Sequence, residues 1–210
     1  MTTVNIASPA GSGVTFAVDL INKSFNDKSK FRCVSLGHER KDFEGKPNVV
    51  LLLRDPYDAI ASGAERWIDT SGHLDFKGSK DLVSIDNIDG IKKVIGWEEK
   101  RYLDFFEGVI ESENIKIYSF DLLIENNNLF LDKLKTDFNI HSDDVIYLNK
   151  SDIIKSVIDD GRGNRAPHAK TNARIIIDKL MTEMYPKETW RCWENYLEIK
   201  SKLKEGVINT

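Results

Sequence analysis

Short apolar runs alternate along this chain with longer stretches whose apolar residues recur every three to four positions. That alternation predicts an α/β layout in which helices connect the strands of a parallel sheet. Strands are expected at 3–6, Phe31–Ser35, Val49–Leu53 and 115–118. The run Val49–Leu53 is apolar at every position, so it is expected in mid-sheet with helices over both faces. Helical spacing predicts helices at 13–25 (Phe16, Leu20, Ile21), 56–67, 91–110 (Ile91, Val94, Ile95, Tyr102, Phe105, Phe106) and 129–138 (Phe130, Leu134, Phe138). Two more are expected at Asn172–Met184, around Ile176 and Leu180, and beyond Pro186 at 190–203, through Trp190, Trp193 and Leu197. The polar, glycine-dotted stretch 69–90 is longer than a plain connection needs. It suits a lid or substrate-facing segment as well as a surface excursion.

Composition narrows the class. With 210 residues, 40% hydrophobic and 30% charged, the chain suits one domain spanning 1–210. Its longest apolar run, Val49–Leu53, is far too short to cross a bilayer, and no basic segment followed by an apolar one opens the chain. A cytoplasmic protein with no membrane partner is expected. Net charge is −4, which disfavours a polyanionic partner, so no nucleic acid is expected. The two cysteines, Cys33 and Cys192, lack metal-ligand spacing and are expected to be free thiols; no metal is implied.

Two stretches carry candidate chemistry. The first, SPAGSGVTF at 8–16, lies between a strand and a helix and holds Gly11, Ser12, Gly13 and Thr15. Glycines there let the backbone approach a phosphate, and the helix N-terminus points N–H groups at it. The ATP-loop pattern GxxxxGK[ST] fits only with Ser8 for its first glycine and Val14 for its lysine, and a ligand-free tight turn fits too. The second stretch, RDPYDAIAS at 54–62, follows the apolar strand. Asp55 is expected to cap the next helix, Pro56 to start it and Asp58 to complement its dipole. Ser62 falls two turns beyond Asp55, on the face that looks back at Arg54. A guanidinium and a hydroxyl then converge, as phosphate recognition requires, although from the tripeptide RDP alone a capped amphipathic helix whose arginine pairs with a surface carboxylate is the favoured reading.

Taken together and in order, these motifs resemble the sulfotransferases that use 3'-phosphoadenosine 5'-phosphosulfate (PAPS). The resemblance extends through IYSFDLLIEN at 117–126, similar to that family's YEDL segment, and the turn TDFNI at 136–140. It implies a three-layer, P-loop-like α/β fold, with a central parallel sheet flanked by helices. It also implies that Gly11, Ser12, Gly13, Val14 and Thr15 hold the 5'-phosphosulfate while Arg54 and Ser62 hold the 3'-phosphate. Tyr118 and Asp121 are expected to be structural, as a packing residue and a helix cap. The family usually has a lysine or arginine immediately before the SG pair, where this chain has Gly11. The basic segment GRGNRAPHAKTNAR at 161–174 is similar to the family segment that folds over the nucleotide, and its Arg165 and Lys170 are the expected substitutes.

The same resemblance makes His38, sixteen residues before Arg54, the expected catalytic base, with Glu39 as the fallback. The expected activity is transfer of a sulfonate group from PAPS to a hydroxyl or amine, leaving adenosine 3',5'-bisphosphate (PAP). The acceptor would be a small molecule or a saccharide. A P-loop kinase of a small metabolite and a nucleotide-binding descendant without activity are the alternatives.

Overall fold

The computed structural model describes residues 2–9, 13–25, 30–69, 82–107, 109, 115–140, 145–157 and 171–204. In chain order the strands are β1 (Thr2–Ala7), β2 (Phe31–Ser35), β3 (Val49–Leu53), β4 (Ile68–Asp69), β5 (Val83–Ser84) and β6 (Ile115–Ser119). The helices are α1 (Val14–Ser24), α2 (Arg40–Phe43), α3 (Pro56–Ala64), α4 (Ile88–Phe106), α5 (Phe120–Glu125), α6 (Asn127–Asp137), α7 (Lys150–Val157), α8 (Asn172–Met184) and α9 (Arg191–Lys204).

Four strands form one parallel sheet in the order β2-β1-β3-β6, so β3 has a neighbour on each side and all five of its residues are buried. Alternate residues of β3 serve opposite faces. Val49, Leu51 and Leu53 join a core with α3, α4, α8 and α9, whereas Val50 and Leu52 join Leu20, Ile21, Leu123, Phe130 and Leu134 from α1, α5 and α6. A strand buried on both sides needs the continuous apolar run that this segment has. Connections leave β1 toward one face, through α1, and leave β3 toward the other, through α3, so the strand order reverses between β1 and β3. Such switch points leave a crevice at the carboxyl ends of the strands.

Several local expectations are corrected. The stretch 56–67 is α-helical only to Ala64 and tightens to a 3-10 turn over Glu65–Trp67. The helix expected from residue 91 begins at Ile88, because the Asn87 side chain accepts the Gly90 N–H at 2.9 Å and caps it. The stretch 69–90 is not loop throughout, since β4 and β5 pair at its two ends in parallel register; residues 70–81 lie outside the described residues. Tyr118 is a buried packing residue, its ring edge-on to Phe130 and its hydroxyl donating to Asp137 Oδ2 at 2.6 Å. Asp121 does not cap α5. Strand β6 runs directly into the helix, so Ser119 holds the cap position and its hydroxyl accepts the Asp121 N–H at 3.1 Å. Cys33 and Cys192 are free and buried.

Candidate functional site

The residue that follows each strand of the four-stranded sheet, or comes soon after it, turns toward the same edge. Ser8 succeeds β1, Arg54 succeeds β3, Phe120 succeeds β6, and His38 lies three residues past β2. Register accounts for one of these pairings: Leu53 is opposite Ser119, which puts Arg54 and Phe120 on the next rung.

At the first loop, Gly13 is the N-cap of α1, with φ +76° and ψ 20°, a left-handed conformation that costs a residue with a side chain about 1–3 kcal/mol. Gly13 has no side chain with which to cap this helix end. The N–H groups of Val14, Thr15 and Phe16 therefore emerge at the positive end of the α1 dipole, an arrangement suited to an anion. Of the loop residues expected to touch phosphate, Gly13, Val14 and Thr15 are described, while Gly11 and Ser12 lie outside the described residues.

At the second motif, Asp55 accepts the Tyr57 N–H at 2.8 Å and Pro56 opens α3, as expected from the sequence. Arg54 Nη1 donates to Ser62 Oγ at 3.4 Å, so the two-turn spacing does bring the guanidinium and hydroxyl together. The backbone carbonyl of Arg54 is pinned by the buried Tyr102 hydroxyl at 2.8 Å. A second arginine enters from α8: Arg174 Nη1 donates to the same Ser62 Oγ at 2.9 Å. Its Nη2 meets Asp58 Oδ1 and its Nε meets Asp178 Oδ1, both at 2.7 Å. Arg54 Nη2 is 3.9 Å from the other Asp58 oxygen. Asp58, in the first turn of α3, is thus a carboxylate partner of the kind the RDP tripeptide left open.

Arg174 is placed by the cap of its own helix. Thr171 accepts the Arg174 N–H at 3.1 Å and donates from the same hydroxyl to Glu65, which anchors the start of α8 to the end of α3. Only about 9% of the Arg174 side chain is exposed and 19% of that of Arg54, whereas Asp58 is half exposed. Burial pulls the Arg54 guanidinium below its ordinary value; Asp58 opposes this, and the charge of Arg174 adds to it. A buried and a partly buried guanidinium thus share Ser62 and Asp58, with Asp178 pairing Arg174 as well, and two cations side by side favour an anion.

Phe120 ties the two motifs together. The Arg54 guanidinium carbon lies 4.6 Å above the centre of its ring, a cation–π distance. A β-carbon at Gly13 would fall 2.3 Å from Phe120 Cε2, so the edge of the same ring lies against the glycine α-carbon.

His38 contacts the end of β1 at Ser8. Its Nδ1 is 2.9 Å from the Ser8 carbonyl oxygen. A carbonyl only accepts, so Nδ1 carries the proton and Nε2 of the neutral ring keeps its lone pair. Burial lowers the His38 pKa; the Ser8 carbonyl opposes that shift, while the charges of Arg66 and Arg101 reinforce it and that of Glu98 opposes it. Glu98 is buried on α4, where it accepts from Trp67 Nε1 at 3.0 Å and from Arg101 Nη1 at 3.1 Å. Glu39 is a poorer base. Its carboxylate is exposed and paired with Lys41 at 2.5 Å, and that pairing holds its pKa below the usual glutamate value.

Arg165 and Lys170 lie outside the described residues. Arg174, Asp58 and Phe120 are the participants that motif spacing missed. Arg174 belongs to the basic segment, yet its role depends on α8 packing against α3, which no local pattern encodes. Phe120 reads as one apolar residue among several in IYSFDLLIEN. Among the described residues no group of three or more histidine, cysteine, aspartate or glutamate side chains is arranged to hold a metal ion, and no helix is long and apolar enough to cross a membrane. No protein-family model matches the chain, and no curated protein matches it.

Proposed function

We propose that this chain is a PAPS-dependent sulfotransferase of the P-loop-like class, with Arg54, Ser62 and Arg174 receiving the 3'-phosphate and the N-terminus of α1 receiving the 5'-phosphosulfate. The observation that carries the reading is the shared Ser62 hydroxyl, met by the buried Arg174 guanidinium and the partly buried Arg54 guanidinium beside the ring that also touches Gly13. Two anion-binding positions set side by side suit a nucleotide phosphorylated at both ends of its ribose better than a triphosphate chain. The ATP-loop alternative lacks its lysine, since Val14 stands in that position.

The chain's own residues then divide the work. The Ser8 carbonyl fixes the His38 tautomer, and Nε2 takes the proton of the acceptor hydroxyl or amine as that oxygen or nitrogen attacks sulfur. The bond from sulfur to the nucleotide phosphate breaks as the new sulfur bond forms. PAP is the leaving group, and the proton stays on His38 until solvent removes it. Val14, Thr15 and Phe16 offer N–H groups to the charge that gathers on the departing phosphate. Arg66 and Arg101 contribute positive potential on the His38 side, and Arg165 and Lys170 are proposed nucleotide contacts in place of the absent loop cation.

Thermal stabilisation by PAP and by ATP-magnesium tests this reading. A ligand at ~100 times its dissociation constant adds about 2.7 kcal/mol, and PAP is expected to stabilise where ATP does not. The reverse preference would sink the assignment. PAP binding without sulfonate transfer to a broad panel of phenols, alcohols, amines and saccharides would instead mark a binding protein descended from the family. His38→Ala is expected to lower turnover by about 10²- to 10⁴-fold with PAP affinity unchanged.

A further inference from the structure

Phe120 occupies a place that neither anion position accounts for. It starts α5 immediately after the Ser119 cap, so its backbone is fixed by the end of β6 and by a capped helix. β6 is hydrogen-bonded to β3, which fixes the ring relative to Arg54. One face of the ring carries the Arg54 guanidinium at 4.6 Å, and one edge lies against Gly13 so closely that a β-carbon there would come within 2.3 Å of Cε2 and 3.2 Å of Cδ2. Phe120 also packs against the core beneath α1, α5 and α6. The ring is therefore a rigid spacer between a helix N-terminus and a guanidinium, with a contact to each.

We propose that Phe120 is a positioning residue that sets the separation between the α1 N-terminus and Arg54, so that the site selects a ligand carrying two anionic groups over one carrying either alone. This rests on the nucleotide reading above. A rigid spacing makes binding of the second anion effectively intramolecular once the first is seated, and that advantage disappears when the two positions drift relative to each other. A purely structural role for the ring would weaken binding of every ligand equally.

The test compares three probes by calorimetry on the full chain: adenosine 3',5'-bisphosphate, adenosine 5'-monophosphate and adenosine 3'-monophosphate. The wild-type chain is expected to bind the bisphosphate at least about a hundredfold more tightly than either monophosphate. Phe120→Leu keeps apolar bulk and removes the aromatic face; it is expected to reduce that preference about tenfold while each monophosphate affinity changes less than about threefold. Phe120→Ala should reduce the preference further, and Phe120→Leu carries the test if the alanine variant unfolds. A preference retained in Phe120→Leu, or an equal loss for all three probes, overturns the positioning role and leaves the nucleotide reading standing. A wild-type chain that shows no bisphosphate preference overturns both.

Discussion

Single side chains set the chemistry here through what fixes them. The Ser8 carbonyl selects the His38 tautomer, and burial with two nearby guanidinium charges keeps the ring neutral. The folded chain thus resists protonating His38, while the unfolded chain takes up that proton at the ordinary value near 6.5. Between the two values the unfolded state holds more protons, so stability falls as pH drops below about 6.5 and is fully present above it. Urea midpoints measured at about pH 7.5 and 5.5 should show this loss, and His38→Gln should flatten the difference; an unaltered pH slope would refute it. Arg174→Met keeps the apolar stem and removes the charge-assisted bond to Ser62, and it is expected to weaken PAP binding by roughly ten- to a hundredfold in direct titration. The approach of Arg54 to Ser62 was legible in the sequence because the serine falls two helical turns beyond Asp55, whereas His38 was singled out by the family resemblance alone. Arg174 was not singled out, since its partners Ser62 and Asp58 lie 112 and 116 residues away and only the packing of α8 on α3 brings them within reach.

At the scale of elements, the apolar spacing was enough for α1, α3, α4, α6, α8 and α9 and for all four strands of the main sheet, while the eight-residue α7 went unpredicted. It failed for the short pieces. A four-residue helix such as α2 or a two-residue strand such as β4 contains too few positions to show a period, and each forms because its neighbours supply caps and partners. The boundary between β6 and α5 was also hidden, because no turn separates them and the cap residue Ser119 is itself the last residue of the strand. Two glycines separate backbone strain from steric contact. Gly13 and Gly45 have φ values of +76° and +72°, but only Gly13 faces a ring, and nothing lies within 4 Å of the β-carbon position at Gly45. Gly45→Ala is therefore expected to cost about 1 kcal/mol in chemical denaturation, and Gly13→Ala about 1–3 kcal/mol more, because the Phe120 ring must move. Equal losses would mean that the contact between Gly13 and Phe120 is loose.

For the whole molecule, the decisive quantity is the strand order, which no local pattern states. A mid-sheet β3 could be read from five consecutive apolar residues, yet the adjacency of β1 and β3 could not, and it is this adjacency that sets Ser8 and Arg54 at the ends of neighbouring strands. Residues as distant in sequence as Ser8, His38, Arg54 and Phe120 share one edge because all four strands run in the same direction. The two faces of that sheet are unlike in content. All four tryptophans belong to the α3, α4, α8 and α9 side: Trp67 and Trp97 form an edge-on pair with centres 5.1 Å apart, while Trp190 and Trp193 pack with Tyr57 and Tyr185. The opposite layer holds phenylalanine and tyrosine in their place. Intrinsic fluorescence excited at the indole band consequently watches one layer alone, whereas circular dichroism watches both. A fluorescence transition that coincides with the dichroic one would show the layers melting as one cooperative unit across β3, and a split would show that the α1, α5 and α6 layer opens separately, unseen by the indoles.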